Sequence, residues 1–165
     1  MTDVAIERAA GLTHAAIVER ALDVSGLVHM VSDAGAGAST VFLGTVRNAN
    51  DGRPVVGIDY QAYSAMAARE LGAIVGEAAQ RFGTRAIAAE HRVGYLAVGD
   101  ISIAIAVSHE RRGPAFDATR YVIEHVKRRL PVWKREHYTD GTREWVDPTR
   151  STAHDGVGSD DGGGA

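Results

Sequence analysis

Two amphipathic helical patterns, each closed by a residue that cannot extend a helix, divide this chain and limit what it can fold into. In the first, from Ser64 to Phe82, Met66, Leu71, Ile74, Val75 and Ala78 form one apolar stripe, Ser64 is placed to cap the start, and Gly83 stands just past the end. Gly113-Pro114 opens the second, which runs to about Leu130 with Phe116, Val122, Ile123 and Val126 as its buried stripe; Pro131, having no backbone N–H, forces the chain out of helix. Strand patterns surround them: Ser39 to Arg47, Val55 to Tyr63, Ala86 to Val93, and Ile101 to Ser108, where Ile101, Ile103, Ile105 and Val107 alternate toward one face. Val98-Gly99-Asp100 reads as a turn, and Val132–Tyr138 with Arg143–Val146 as a hairpin around Asp140-Gly141. Thr13 to Leu22 fits a strand or a short helix equally, and Asp23 reads as the N-cap of a short helix through Leu27, Val28 and Val31. Residues 1–12 read as a flexible lead-in and 148–165, rich in Gly, Ser, Asp and Thr, as a disordered tail, which leaves one principal domain at 13–147.

Composition narrows the chemistry. The 165 residues include no cysteine, which removes disulfides, thiolate metal sites and any persulfide carried on the chain. A formal net charge of −3 and 6% aromatic residues argue against a nucleic-acid or membrane-surface binder. No apolar run approaches membrane-spanning length and no signal-peptide pattern is present, so a cytoplasmic protein is expected. The seven histidines show no paired ligand spacing, so neither a metal nor another cofactor is expected.

Of 18 basic residues only two, Lys127 and Lys134, are lysines. A guanidinium stays charged and makes planar, forked contacts, whereas an ammonium is a compact charge that can take part in proton transfer when crowded or desolvated. Both lysines straddle the helix-to-strand corner at Pro131. Strand alternation sets Val132, Lys134 and Glu136 on one face and Trp133, Arg135 and His137 on the other, with Trp133 free to anchor in the core. Two further segments suit anion binding. Ser108-His109-Glu110-Arg111-Arg112-Gly113 lies between a strand end and a helix N-terminus, where free N–H groups favour negative charge. Phe42-Leu43-Gly44-Thr45-Val46-Arg47-Asn48 ends a strand in an arginine beside Asn48-Ala49-Asn50-Asp51-Gly52-Arg53-Pro54, which reads as an exposed loop.

Together with Glu90-His91-Arg92-Val93-Gly94 and Ala115-Phe116, these segments resemble the catalytic (large) subunit of molybdopterin synthase, the MoaE family, from about residue 13 to 147. The resemblance implies an α/β hammerhead fold with an appended α+β dimerisation region. It also implies a homodimer that binds two small ubiquitin-like sulfur-carrier subunits, making a heterotetramer. The carrier's thiocarboxylated C-terminal Gly-Gly would deliver sulfur to cyclic pyranopterin monophosphate, forming the dithiolene of molybdopterin. Lys127 and Lys134 fall on the family's catalytic lysines, Arg47 and Arg112 on its anion contacts, the latter donated across the dimer, and Phe42 on a pocket wall or a core position. Arg111 stands where family members carry His, so either Arg111 or the displaced His109 takes that contact. The alternatives are a catalytically silent anion-binding paralogue that keeps the carrier-docking surface, and an Arg-rich nucleic-acid module.

Overall fold

The structure is a computed structural model that describes residues 4–9, as backbone, and 11–146. Strands β1 (Val4–Ala9), β2 (Leu12–Val18), β6 (Ala86–Arg92), β8 (Ile101–His109) and β3 (Ala38–Thr45) form a sheet in the order β1-β2-β6-β8-β3, in which only the β2–β6 pair is parallel. Helices α2 (Ser64–Phe82) and α3 (Arg112–Arg129) cover one face, and α1 (Val24–Met30) packs on the other. A second, antiparallel sheet runs β10-β9-β5-β4, made of β4 (Ala49–Asn50), β5 (Arg53–Ala62), β9 (Val132–Tyr138) and β10 (Arg143–Val146); β7 (Gly94–Ala97) pairs with β5 as well. The architecture is α+β, with the second sheet appended to the larger α/β layer.

The Leu71, Ile74, Val75 and Ala78 stripe of α2 is fully buried against Ile103, Ile105 and Val107 of β8. The other face of β8 is buried too, because Ala104 and Ala106 let Leu27 of α1 and Val31 just past its end approach closely. Asp23 caps α1 as expected, accepting from the Gly26 N–H at 2.9 Å. Ser64 does not cap α2: the capping position is Tyr63, without a side-chain bond.

Three apolar residues expected inside lie outside. Met66 is 60%, Phe116 62% and Trp133 45% exposed. Met66 is the third residue of α2 and Phe116 the fifth of α3, next to their N-terminal ends, and Trp133 lies on the face of β9 opposite the buried Val132, Glu136 and Tyr138. The turn expected at 98–100 is preceded by an extra strand. Gly94, at φ +95°, diverts the chain into the second sheet as β7, where Leu96 becomes fully buried beside Val46, Val55, Ile58 and Tyr138. Residues 4–9 pair antiparallel with β2, so much of the expected lead-in is a strand, while the expectation for 148–165 lies outside the described residues.

His91, on β6, is 7% exposed, points Nδ1–H at the Arg92 carbonyl at 2.9 Å, and lies edge-on to Tyr60 with ring centroids 5.2 Å apart. Burial depresses its pKa from 6.5 to about 4, partly offset by the carbonyl contact. An unfolded imidazole binds its proton near 6.5 while the folded one stays neutral to about 4, so stability is lost as pH falls through that window. Urea unfolding is expected to show about 2 kcal/mol less stability at about pH 5 than at pH 7. His91→Gln should flatten this slope, and an unchanged slope in that variant would assign the loss to another group.

Candidate functional site

The last turn of α3 carries Lys127, Arg128 and Arg129, all exposed, between the buried Val126 and Leu130. Leu130 leaves the helix at φ −69° and ψ 123°, the extended geometry that a following proline imposes. The chain then enters β9, where Val132, Glu136 and Tyr138 are buried on the face that also carries Lys134. Register sets Lys134 between Tyr60 of β5 and Val146 of β10, leaving its side chain 21% exposed.

Glu136 organises this corner. Its side chain is 3% exposed, and one carboxylate oxygen lies 3.7 Å from Lys134 Nζ. The other accepts from Asn50 Nδ2 at 2.8 Å and from the Tyr138 hydroxyl at 2.9 Å. Burial and the Glu136 contact both push the Tyr138 phenol upward, keeping it a donor. The segment expected to be an exposed loop is largely exposed and is tightened into a hairpin: Asp51 at φ +47° and Gly52 at φ +77° form the two-residue turn between β4 and β5, and that turn holds Asn50 over Glu136. Arg47, exposed, stands three residues before Asn50 at the same end of the sheet; there Val46 donates its N–H to the Asp100 carbonyl at 3.0 Å and accepts from Gly99 at 2.9 Å. Phe42 is partly buried on the helix-facing side of β3, packed on the main core. Glu136 and Asn50 were not singled out in the sequence, although the two-residue spacing from Lys134 to Glu136 already sets both on one strand face.

The second cluster lies elsewhere. His109 is 7% exposed and both its nitrogens are committed: Nδ1 accepts the Arg111 N–H at 2.9 Å, so Nε2 bears the proton and donates to the Phe82 carbonyl at 3.0 Å. His109 therefore ties the loop to the end of α2, with both ring nitrogens engaged within this chain. Arg111 and Arg112 are exposed beside an open depression of about 700 Å³ lined also by Gly37, Glu110, Gly113 and Pro114. A Cβ on Gly37 would come within 2.5 Å of the Glu110 carbonyl oxygen, so only glycine fits there. Arg112 begins α3 and Lys127 lies in its last turn; at 1.5 Å per residue they are about 22 Å apart along the axis. One chain thus brings together Lys134, Glu136 and Asn50, with Arg47 three residues before Asn50 in the sequence, and leaves Arg111 and Arg112 at the far end of α3 from Lys127.

Comparison with known proteins gives this arrangement its context. The family model described as MoaE protein matches residues 17–129. The chain belongs to the MoaE family. A molybdopterin synthase catalytic subunit from Oryza sativa subsp. indica is 43% identical over 133 residues, covering 78% of this chain and 69% of the relative. One from Bacillus subtilis (strain 168) is 34% identical over 139 residues, covering 84% and 88%. Among solved structures, molybdopterin synthase from Staphylococcus aureus superposes with a TM-score of 0.75 at 32% identity, covering 79% of this chain and 95% of that one. As a MoaE-family protein the chain is an enzyme of molybdenum-cofactor biosynthesis, the catalytic subunit of a molybdopterin synthase. Among the described residues no group of three His, Cys, Asp or Glu side chains is placed to hold a metal ion, and no helix is long and apolar enough to cross a membrane.

The Glu136 contacts yield a stability test. Glu136→Gln keeps the side-chain volume but turns one acceptor into a donor facing Asn50, Tyr138 or Lys134. A loss of about 1–3 kcal/mol in denaturant unfolding is expected, and an unchanged midpoint would show that the carboxylate is dispensable to the corner.

Proposed function

We propose that this MoaE-family chain is a sulfurtransferase that moves sulfur from the thiocarboxylated C-terminal Gly-Gly of a small ubiquitin-like carrier subunit to cyclic pyranopterin monophosphate, building the dithiolene of molybdopterin. The observation that carries this reading is that the chain's only two lysines flank the Pro131 corner, one exposed and one held beside a buried carboxylate. Lys127 and Lys134 stabilise negative charge as sulfur adds to the pterin side chain and shuttle the protons involved. Arg47, with Arg111 and Arg112, holds the phosphate and pterin through forked contacts. With no cysteine in the chain, the sulfur must arrive on the carrier.

The site is composite, shared between two copies. Among the described residues β3 ends its sheet with no strand on its outer side, and Val41 and Leu43 there are 44% and 40% exposed. Phe116 and Lys127 are eleven residues, three helical turns, apart, so the exposed Phe116 and the ammonium share one flank of α3. Pairing two β3 edges antiparallel about a two-fold axis covers these apolar groups and reverses the ends of the strand. The N-terminal end of one β3, beside Gly37 and the Arg111–Arg112 loop, then meets the C-terminal end of the other, beside Arg47 and Asn50.

The test mixes purified protein with a thiocarboxylated small subunit and cyclic pyranopterin monophosphate and follows dithiolene formation. Product is expected. A complex that assembles with its carrier yet makes no product would overturn this sulfur-transfer reading.

A further inference from the structure

We propose that Arg129 is a positioning residue for Lys127, clamped by two carboxylates of α2 so that the final turn of α3 presents its ammonium away from α2. The inference rests on the catalytic reading of Lys127 above.

The backbone leaves this turn weakly held. In a continuous helix the Lys127 carbonyl would accept from the N–H four residues on, but that residue is Pro131, which has none. The last backbone bond of the helix end is Leu130 N–H to the Val126 carbonyl at 3.0 Å. Arg129 supplies what the backbone lacks. Its Nε donates to Glu70 at 2.7 Å, and its two terminal nitrogens donate to the two oxygens of Glu77 at 2.6 and 3.0 Å. Glu70 and Glu77 are two turns apart on α2 and so face α3 together. Glu77 also accepts from the Tyr121 hydroxyl at 3.0 Å, and Tyr121 stacks on His125 with centroids 3.8 Å apart, extending the seam back along α3. Arg129's hydrogen bonds hold the Glu77 carboxyl below its ordinary range, so the clamp stays ionised at neutral pH.

Helix geometry converts this clamp into an orientation. At about 100° per residue, Lys127 lies about 100° to one side of the buried Val126 and Arg129 about 60° to the other. Fixing Arg129 to α2 therefore turns Lys127 toward the opposite flank, the one it shares with Ile123 and Phe116. A forked side chain is needed, because three donors in one plane reach two carboxylates at once, which an ammonium cannot reproduce with the same geometry.

The two-lysine composition provides a direct readout. Protein labelled with 13Cε-lysine gives two signals, assigned with Lys127→Arg and Lys134→Arg. In Arg129→Met, and in Glu77→Gln as a milder second variant, the Lys127 signal is expected to shift while that of Lys134 stays in place; Arg128→Met, one residue earlier and exposed, should move neither. In the assembled complex with thiocarboxylated small subunit and cyclic pyranopterin monophosphate, kcat should fall about 10- to 100-fold in Arg129→Met, with KM changed less than about twofold, and Arg129→Lys should restore part of it. A Lys127 signal unmoved in both variants, or one that moves while kcat stays at wild type, overturns the proposal. Full activity in Lys127→Arg would instead overturn the catalytic reading, leaving the signal shift as an independent measure of the clamp.

Discussion

Lys127→Arg and Lys134→Arg are each expected to fold as the wild type does and to lose sulfur transfer by about 10²- to 10⁴-fold, the range for removing a positioned proton-transfer group. The two substitutions keep the positive charge, so a site that needs only charge would tolerate them. Lys127 is exposed, so its replacement should change stability by less than about 0.5 kcal/mol. Lys134 is more constrained: its Nζ lies 3.7 Å from a carboxylate that is already fixed by Asn50 and Tyr138. A guanidinium there can still pair with Glu136 but spreads its charge over a plane and holds its proton far more tightly. The measurement is single-turnover dithiolene formation, run beside thermal unfolding of each variant. Wild-type turnover in both would reduce the corner to an anion-binding surface.

Much of the fold was legible because long periodic segments commit the backbone. The α2 stripe and the β8 alternation each contain enough apolar residues at one period to outweigh local ambiguity, and the β9–β10 hairpin is marked by its Asp140-Gly141 turn. What the pattern could not supply was the environment of single positions. Phe116 and Trp133 are core-type residues by composition, yet among the described residues they stay 62% and 45% exposed. β7 was hidden because its four residues, Gly94 to Ala97, contain only one buried side chain, Leu96, too little for a period to register. In the site, the lysines stood out through composition and the Pro131 corner through punctuation. Glu136 did not stand out, since a charged residue on a strand face gives no sign from sequence that it is 2% exposed. The bonds of His109 were hidden for a related reason. A histidine beside two arginines resembles an anion contact, and only its bonds to Phe82 and Arg111 reveal an interior tether.

The distance along α3 separating Arg112 from Lys127 leads to the last expected result, which depends on both copies of the chain. If the site is shared between two copies as proposed, Arg112→Ala and Lys127→Arg homodimers should each be strongly impaired, because every site in them lacks one of the two groups. When the two variants are co-expressed with different tags and the mixed dimer is purified, one site combines an intact Lys127 from one chain with an intact Arg112 from the other. The second site carries both defects. Mixed dimers are therefore expected to recover about half of wild-type turnover per dimer. If Arg112 served the lysines of its own chain, each chain would keep one defect and no activity would return. The mode of pairing can be tested in parallel. Leu43→Lys, placing a charge on the open β3 edge, should leave the monomer folded but shift its sedimentation from dimer to monomer. Turnover should disappear with the dimer, since a monomer keeps Lys127 and Arg112 about 22 Å apart along α3.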